Sequence, residues 1–263
     1  TIKSENFECE EITDSLHTIN FGGNDSVISN PMGLVGKMFL QISGIDFLPF
    51  SAWNAESIVY DIQLYFNEKK IDTIDSNWFR IYAETLLNTN EKTNWNNLTC
   101  GTINSNENSN NTVFLPLIFY FNRHNGSQLP LCALSNTRVQ IKMRIKRPGN
   151  YDSGYQISKG KDLKITLFSE YTDLQSDELK LFQRPLQYLI EQVQKIESTV
   201  TEVENSKTIT FKGPLKSMFW IIPNPYINQH GNFTSKKSVL PLKFKNSNQF
   251  RITNFDFVNA QDS

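Results

Sequence analysis

The chain is poor in almost everything that announces chemistry. It has three cysteines, Cys9, Cys100 and Cys132, none close to another, so neither a disulfide framework nor a cysteine-based zinc site is spelled out. So sparse and odd a set fits a reducing compartment. The three histidines, His17, His124 and His230, stand alone, with no second His or Cys at ligand spacing. No GxSxG elbow and no HExxH helix occur. The stretch from Gly154 to Lys161 has the outline of a phosphate loop. It holds one residue too many between its glycines, and Asp162 stands where Ser or Thr would bind magnesium. No catalytic, cofactor-binding or metal-ligating residue is therefore expected, and no cofactor. The chain does not read as an enzyme.

Charge of one sign is also missing. With 26 Lys+Arg against 27 Asp+Glu the formal net charge is −1, which argues against a protein steered to nucleic acid. A basic cluster does occur at Arg138, Lys142, Arg144, Lys146 and Arg147, but it alternates with Val139, Ile141, Met143 and Ile145. That pattern is the solvated face of a half-buried strand. The neighbours are aliphatic, and single-strand binding wants aromatics there, so no nucleic-acid sequence recognition is expected. The longest apolar run, Val113 to Phe121, is about half a membrane span and is broken by Pro116, so it reads as a buried strand. The start, TIKSENFECEE, is acidic and polar where a secretory leader would be basic and then apolar, and it opens on Thr rather than Met. Five Asn-x-Ser/Thr sequons, at Asn24, Asn97, Asn110, Asn125 and Asn232, carry little weight among 29 asparagines.

What the sequence does have is period two. Ile58, Tyr60, Ile62, Leu64 and Phe66 alternate with more polar residues, as do Met38, Leu40 and Ile42, and Leu163, Ile165 and Leu167. Ile209 with Phe211, Met218 to Ile222, Leu240 to Phe244, and Phe250 with Ile252 extend the series. Gly22-Gly23, Asn30-Pro31, Pro148-Gly149 and Pro223-Asn224-Pro225 separate the runs. Many short strands between such turns predict an antiparallel sandwich or barrel.

Helical signal is local. Asp75 predicts an N-cap for a helix whose stripe is Trp78, Ile81, Tyr82 and Leu86. Asp177 to Phe182 predicts a short helix ending before Pro185. Leu186, Leu189, Ile190, Val193 and Ile196 fit a helical stripe, although Tyr188, Ile190 and Ile196 fit a strand nearly as well. Between Asn88 and Thr112 the chain is Asn-, Thr- and Ser-rich, which predicts an exposed loop about 25 residues long.

Two stretches carry a resemblance. FLPLIFYFNRHNGSQLPLCALSNTRVQIKMRI, Phe114 to Ile145, is an apolar strand, a polar turn, a Leu-Pro-Leu entry and an alternating strand. LKITLFSEYTDLQSDELKLFQRPLQYLIEQVQ, Leu163 to Gln194, is a strand running into an acidic turn and a short helix. GLVGKMFLQISG from Gly33, SIVYDIQLYFNEKKIDTIDSNWFRIYAETL from Ser57 and ITFKGPLKSMFWIIPN from Ile209 support them in the same order. Together they resemble the major capsid proteins of nucleocytoplasmic large DNA viruses, the iridovirus, phycodnavirus and mimivirus relatives.

The resemblance implies an all-β tandem (double) jelly roll with a few short helices. The first roll would occupy residues 1–184. The second would begin at 185 and run to 263, too short a stretch for a complete sandwich. It further implies a structural subunit that self-assembles as a homotrimer, a pseudo-hexagonal capsomer of an icosahedral shell. Neighbouring capsomers, minor capsid proteins and the inner viral membrane would be its partners. Its place would be the virion capsid, assembled in host cytoplasm. The resemblance also prefers a strand over Leu186 to Gln194. A second reading is a jelly-roll carbohydrate-binding module that stacks sugars on Trp53, Trp95 or Trp220.

Overall fold

Alternate burial along four long strands builds the fold. Val139, Ile141, Met143 and Ile145 are buried while the residues between them reach solvent, and Met38, Leu40 and Ile42 repeat the pattern. The computed structural model describes residues 2–7, 16–20, 33–47, 55–99, 112–134, 137–149, 155–160, 162–184, 186–197 and 209–220. The strands are β1 (Ile2–Phe7), β2 (Leu16–Asn20), β3 (Gly33–Ser43), β4 (Ile45–Phe47), β5 (Val59–Phe66), β6 (Lys69–Asp75), β7 (Val113–Pro116), β8 (Leu129–Pro130), β9 (Val139–Ile145), β10 (Tyr155–Ile157) and β11 (Lys164–Asp173).

They form two main antiparallel sheets. Sheet A runs β1-β11-β3-β7, with β8 also on β3, and sheet B runs β2-β9-β5-β6. A short β10-β4 ribbon stands apart from both. Set β4, β8 and β10 aside and number the remaining eight strands in chain order. Sheet A then reads first, eighth, third, sixth, and sheet B second, seventh, fourth, fifth. Successive pairs alternate between sheets, which is the wrapping order of a jelly roll. Inner-face side chains of both sheets, among them Leu40, Ile42, Ile165 and Leu167 from A and Ile62, Leu64, Ile141 and Met143 from B, merge into one buried cluster.

The strand alternation predicted for Ile58 to Phe66 breaks at one place. Val59 pairs with Ile145 but Asp61 pairs with Arg144, so Tyr60 is an extra residue in β5. The bulge turns Tyr60 outward to 49% exposure and lets Ile58 and Val59 both be buried. The predicted strand from Val113 to Phe121 is a strand only as far as Pro116. The Leu117 N–H still reaches the Met38 carbonyl at 2.9 Å, and the chain then coils into a buried single turn at Tyr120–Asn122.

Both helix predictions that carried a start signal hold. Helix α1 spans Ser76–Thr85, and the Asp75 carboxylate accepts the Trp78 N–H at 2.8 Å. Its fully buried stripe is Phe79 and Ala83, flanked by half-buried Trp78 and Tyr82, whereas Leu86 at the C-cap is exposed. After it the predicted exposed loop begins instead as helix α2, Thr89–Thr99. Asn88 and Glu91 cap it reciprocally, side chain to backbone, at 2.9 and 3.0 Å. Trp95 then anchors it, buried against Phe79 and Tyr82 with ring centroids 6.3 and 6.0 Å apart. Amide-rich composition hid a cap box and a single anchor three and seven residues into the segment. Helix α3 (Ser176–Leu179) and a following turn to Gln183 form the short acidic-started helix before Pro185.

Residues 186–197 form neither the strand nor the helix expected of them, and 209–220 is likewise irregular. The strands expected over Leu240 to Phe244 and at Phe250 with Ile252 lie outside the described residues. The chain divides into two compact units, Thr1–Val193 and Gln194–Ser263.

Gly44 shows how tightly the sandwich closes. Its φ is +80°, and a Cβ there would sit 2.0 Å from the Asp162 carbonyl oxygen, against backbone that cannot swing aside. Gly126 has nothing within 4 Å of the same position. Gly44→Ala should lower stability by about 2–3 kcal/mol while Gly126→Ala changes it by less than about 0.5 kcal/mol, read by urea denaturation. Equal midpoints for the two variants would contradict this packing.

Candidate functional site

Residues that could work chemically are spread over the outer surfaces. On the outer face of sheet B, Asp61, Gln63 and Tyr65 follow one another along β5. The Tyr65 hydroxyl donates to Gln63 Oε1 at 2.9 Å, and Gln63 Nε2 donates to Asp61 Oδ1 at 3.0 Å. Arg144, opposite on β9, closes the row by pairing with the Asp61 carboxylate through Nε at 3.0 Å and also through Nη2. Lys142 lies 4.3 Å from the Tyr65 ring centroid and Lys146 lies 5.8 Å from that of Tyr60. The basic stripe is thus engaged by a carboxylate and two tyrosine faces of its own sheet, as expected of a solvated strand face. Arg144 is about half exposed, so its pair with Asp61 contributes at most about 1 kcal/mol.

A second network ties the helices to the sandwich. Glu56, 4% exposed in the turn Ala55–Ser57, faces Arg80 at 3.7 Å. Arg80 also pairs with Glu84 at 2.7 Å, and Lys92 of α2 pairs with Glu84 in turn. Burial raises the Glu56 carboxyl above the ordinary range, outweighing its own backbone N–H and Arg80, and Glu84 adds repulsion.

The third network holds residues 186–193. Arg123 donates to the Ile118 carbonyl at 2.9 Å, pairs with Glu191 at 3.0 Å and lies 5.7 Å from the Tyr82 ring centroid. Ile190 packs on the core. Asp72, buried on the inner face beside Leu64, accepts the Val193 N–H at 3.0 Å and the Thr73 N–H at 2.9 Å on the same oxygen. Burial raises its carboxyl too, against those two donors and Arg123. Neither Arg123 nor Asp72 was marked by the sequence patterns. The one available signal was an aspartate at a position that alternation assigns to the core.

None of these groups is arranged for catalysis. Among the described residues no three His, Cys, Asp or Glu side chains gather where a metal could bind. His124 is exposed before a short turn at Asn125–Ser127, and burial raises the Cys132 thiol. The carbohydrate-stacking reading fails at Trp95, which is buried between α1 and α2 and offers no face to a sugar. Trp220 is half-buried, and Trp53, Cys9, Cys100 and His230 lie outside the described residues.

Comparison with known proteins decides the family. Residues 1–176 match the family model described as the major capsid protein N-terminus. The chain belongs to this family. Relatives include the major capsid protein of Paramecium bursaria Chlorella virus 1, 25% identical over 82% of this chain and 52% of its own length. That of Pyramimonas orientalis virus is 26% identical over 82% and 56%. Among solved structures, a quasi-atomic model of the PBCV-1 virus capsid superposes with a TM-score of 0.59 at 20% identity, covering 73% of this chain and 47% of that one. The fold is that of the double jelly-roll capsid proteins, and the relatives are structural proteins, not enzymes. The chain spans about half the length of the curated relatives it matches.

The buried carboxylate of this capsid chain has a measurable signature. Folding raises the Glu56 pKa, so the stability linked to it is fully present below the ordinary carboxylate range and is lost as pH rises through the raised folded value. Glu56→Gln, which cannot ionise, should exceed wild type in stability at pH 7 by about 1 kcal/mol and lose that advantage at pH 4, by denaturant midpoints. An advantage independent of pH would show that burial of the charge is not the cause.

Proposed function

We propose that this chain is a major capsid subunit that self-assembles as a homotrimer, the pseudo-hexagonal capsomer of an icosahedral viral shell. The match of residues 1–176 to the capsid family carries the reading, and the jelly-roll strand order supports it. A shell subunit needs a rigid body and lateral contacts repeated by symmetry, and it needs no reactive group. Near-neutral charge suits copies that pack side by side without strong mutual repulsion.

In this reading residues 1–184 are the first jelly roll and residues 185–263 begin the second. The subunit works in the virion capsid, assembles in host cytoplasm and contacts neighbouring capsomers, minor capsid proteins and the inner viral membrane. Light scattering at micromolar concentration should give three chain masses, about 90 kDa from the 30.3 kDa chain. A strict monomer across that range overturns the trimer.

A further inference from the structure

Sheet B ends in β6, and the order β2-β9-β5-β6 leaves one side of that strand without a ladder partner. An open edge is a template for another strand, and proteins that keep one usually blunt it. In an antiparallel strand the peptide groups of alternate residues point to opposite sides. Asp72 pairs with Leu64 of β5, so the Ile71 carbonyl and the Thr73 N–H face away from the sheet. Both are occupied by side chains. Gln192 Nε2 donates to the Ile71 carbonyl, and the Asp72 carboxylate accepts the Thr73 N–H. The same carboxylate oxygen accepts the Val193 N–H, and Glu191 is held by Arg123 at 3.0 Å.

Residues 186–193 therefore imitate a neighbouring strand at its two decisive atoms without forming a ladder. We propose that this strap is a cap on the β6 edge, and that the partner it excludes is β6 of a second copy of this chain.

Charge and side-chain matching identify that partner. The strand reads Lys69-Lys70-Ile71-Asp72-Thr73-Ile74-Asp75, basic at one end and acidic at the other. Paired antiparallel with itself so that Lys70 meets Asp75, it places Ile71 opposite Ile74 and Asp72 opposite Thr73, each pair occurring twice. The strand is complementary to its own copy. This contact is isologous and stops at two chains, unlike the heterologous contacts that close a ring, so it competes with shell growth. The cap goes beyond the capsid reading and stands whether or not the chain forms trimers.

The test releases the strap in the full chain. Glu191→Ala/Gln192→Ala removes two exposed anchors and leaves the core intact; Asp72→Asn weakens the third. Amide hydrogen exchange is followed at Thr73, with Ile141 in the centre of sheet B reporting global folding. At low micromolar concentration Thr73 protection should fall about tenfold in the double variant while Ile141 stays protected. As concentration is raised a hundredfold, Thr73 protection should return together with a doubling of mass by light scattering. Unchanged Thr73 protection in both variants would show that the strap caps nothing. Protection that is lost and never recovers would show that a second β6 is not what the cap excludes.

Discussion

Burial of the two inner sheet faces against each other is the constraint from which the other features follow. Leu40, Ile42, Ile165 and Leu167 meet Ile62, Leu64, Ile141 and Met143 across a single interior. Each strand must then keep one face apolar, which leaves the other face and the strand ends as the only places for polar variation. The basic stripe of β9, the tyrosines of β5 and the Asp61–Arg144 pair all lie on that permitted outer face. Charge that enters the interior face does so only at its margin. Asp72 is tolerated because two peptide donors satisfy it, and even so burial disfavours its ionised form.

The helices are secondary to this sandwich. Between β6 and β7 the chain leaves sheet B and must return in sheet A, and α1 and α2 occupy the described part of that excursion. They are held by side chains more than by helix propensity. Phe79, Ala83 and Trp95 contribute apolar contact, and Glu56, Arg80, Glu84 and Lys92 form a chain of charges across three segments. A family of shell proteins can vary such an excursion freely, because the strands before and after it already determine the core.

Much of the sandwich was legible because period two is a direct imprint of a half-buried sheet. The strands at Met38 to Ile42, Val139 to Ile145 and Ile165 to Leu167 needed nothing more. Where reading failed, the deciding interaction was not periodic. The bulge at Tyr60 is a ladder mismatch with β9, invisible in β5 alone. Helix α2 depends on one tryptophan and on a reciprocal Asn88–Glu91 cap within a polar stretch. Residues 186–193 have mixed apolar content that fits either period, and what places them is a set of contacts with residues 71–123, far away in sequence. The absence of a catalytic constellation from the sequence, by contrast, needed no geometry to see.

One guanidinium joins parts of the molecule that the sequence keeps far apart. Arg123 touches the Tyr82 ring on α1, the Ile118 carbonyl just after β7 and the Glu191 carboxylate on the strap. These three points move together or the contacts break. Tension applied to the chain beyond Val193 reaches the rim of α1 through a single rigid plane instead of dissipating along a flexible exit. Arg123 makes the first unit behave as a mechanical strut, so that force enters it at a defined point and is shared among segments that no strand pairing connects.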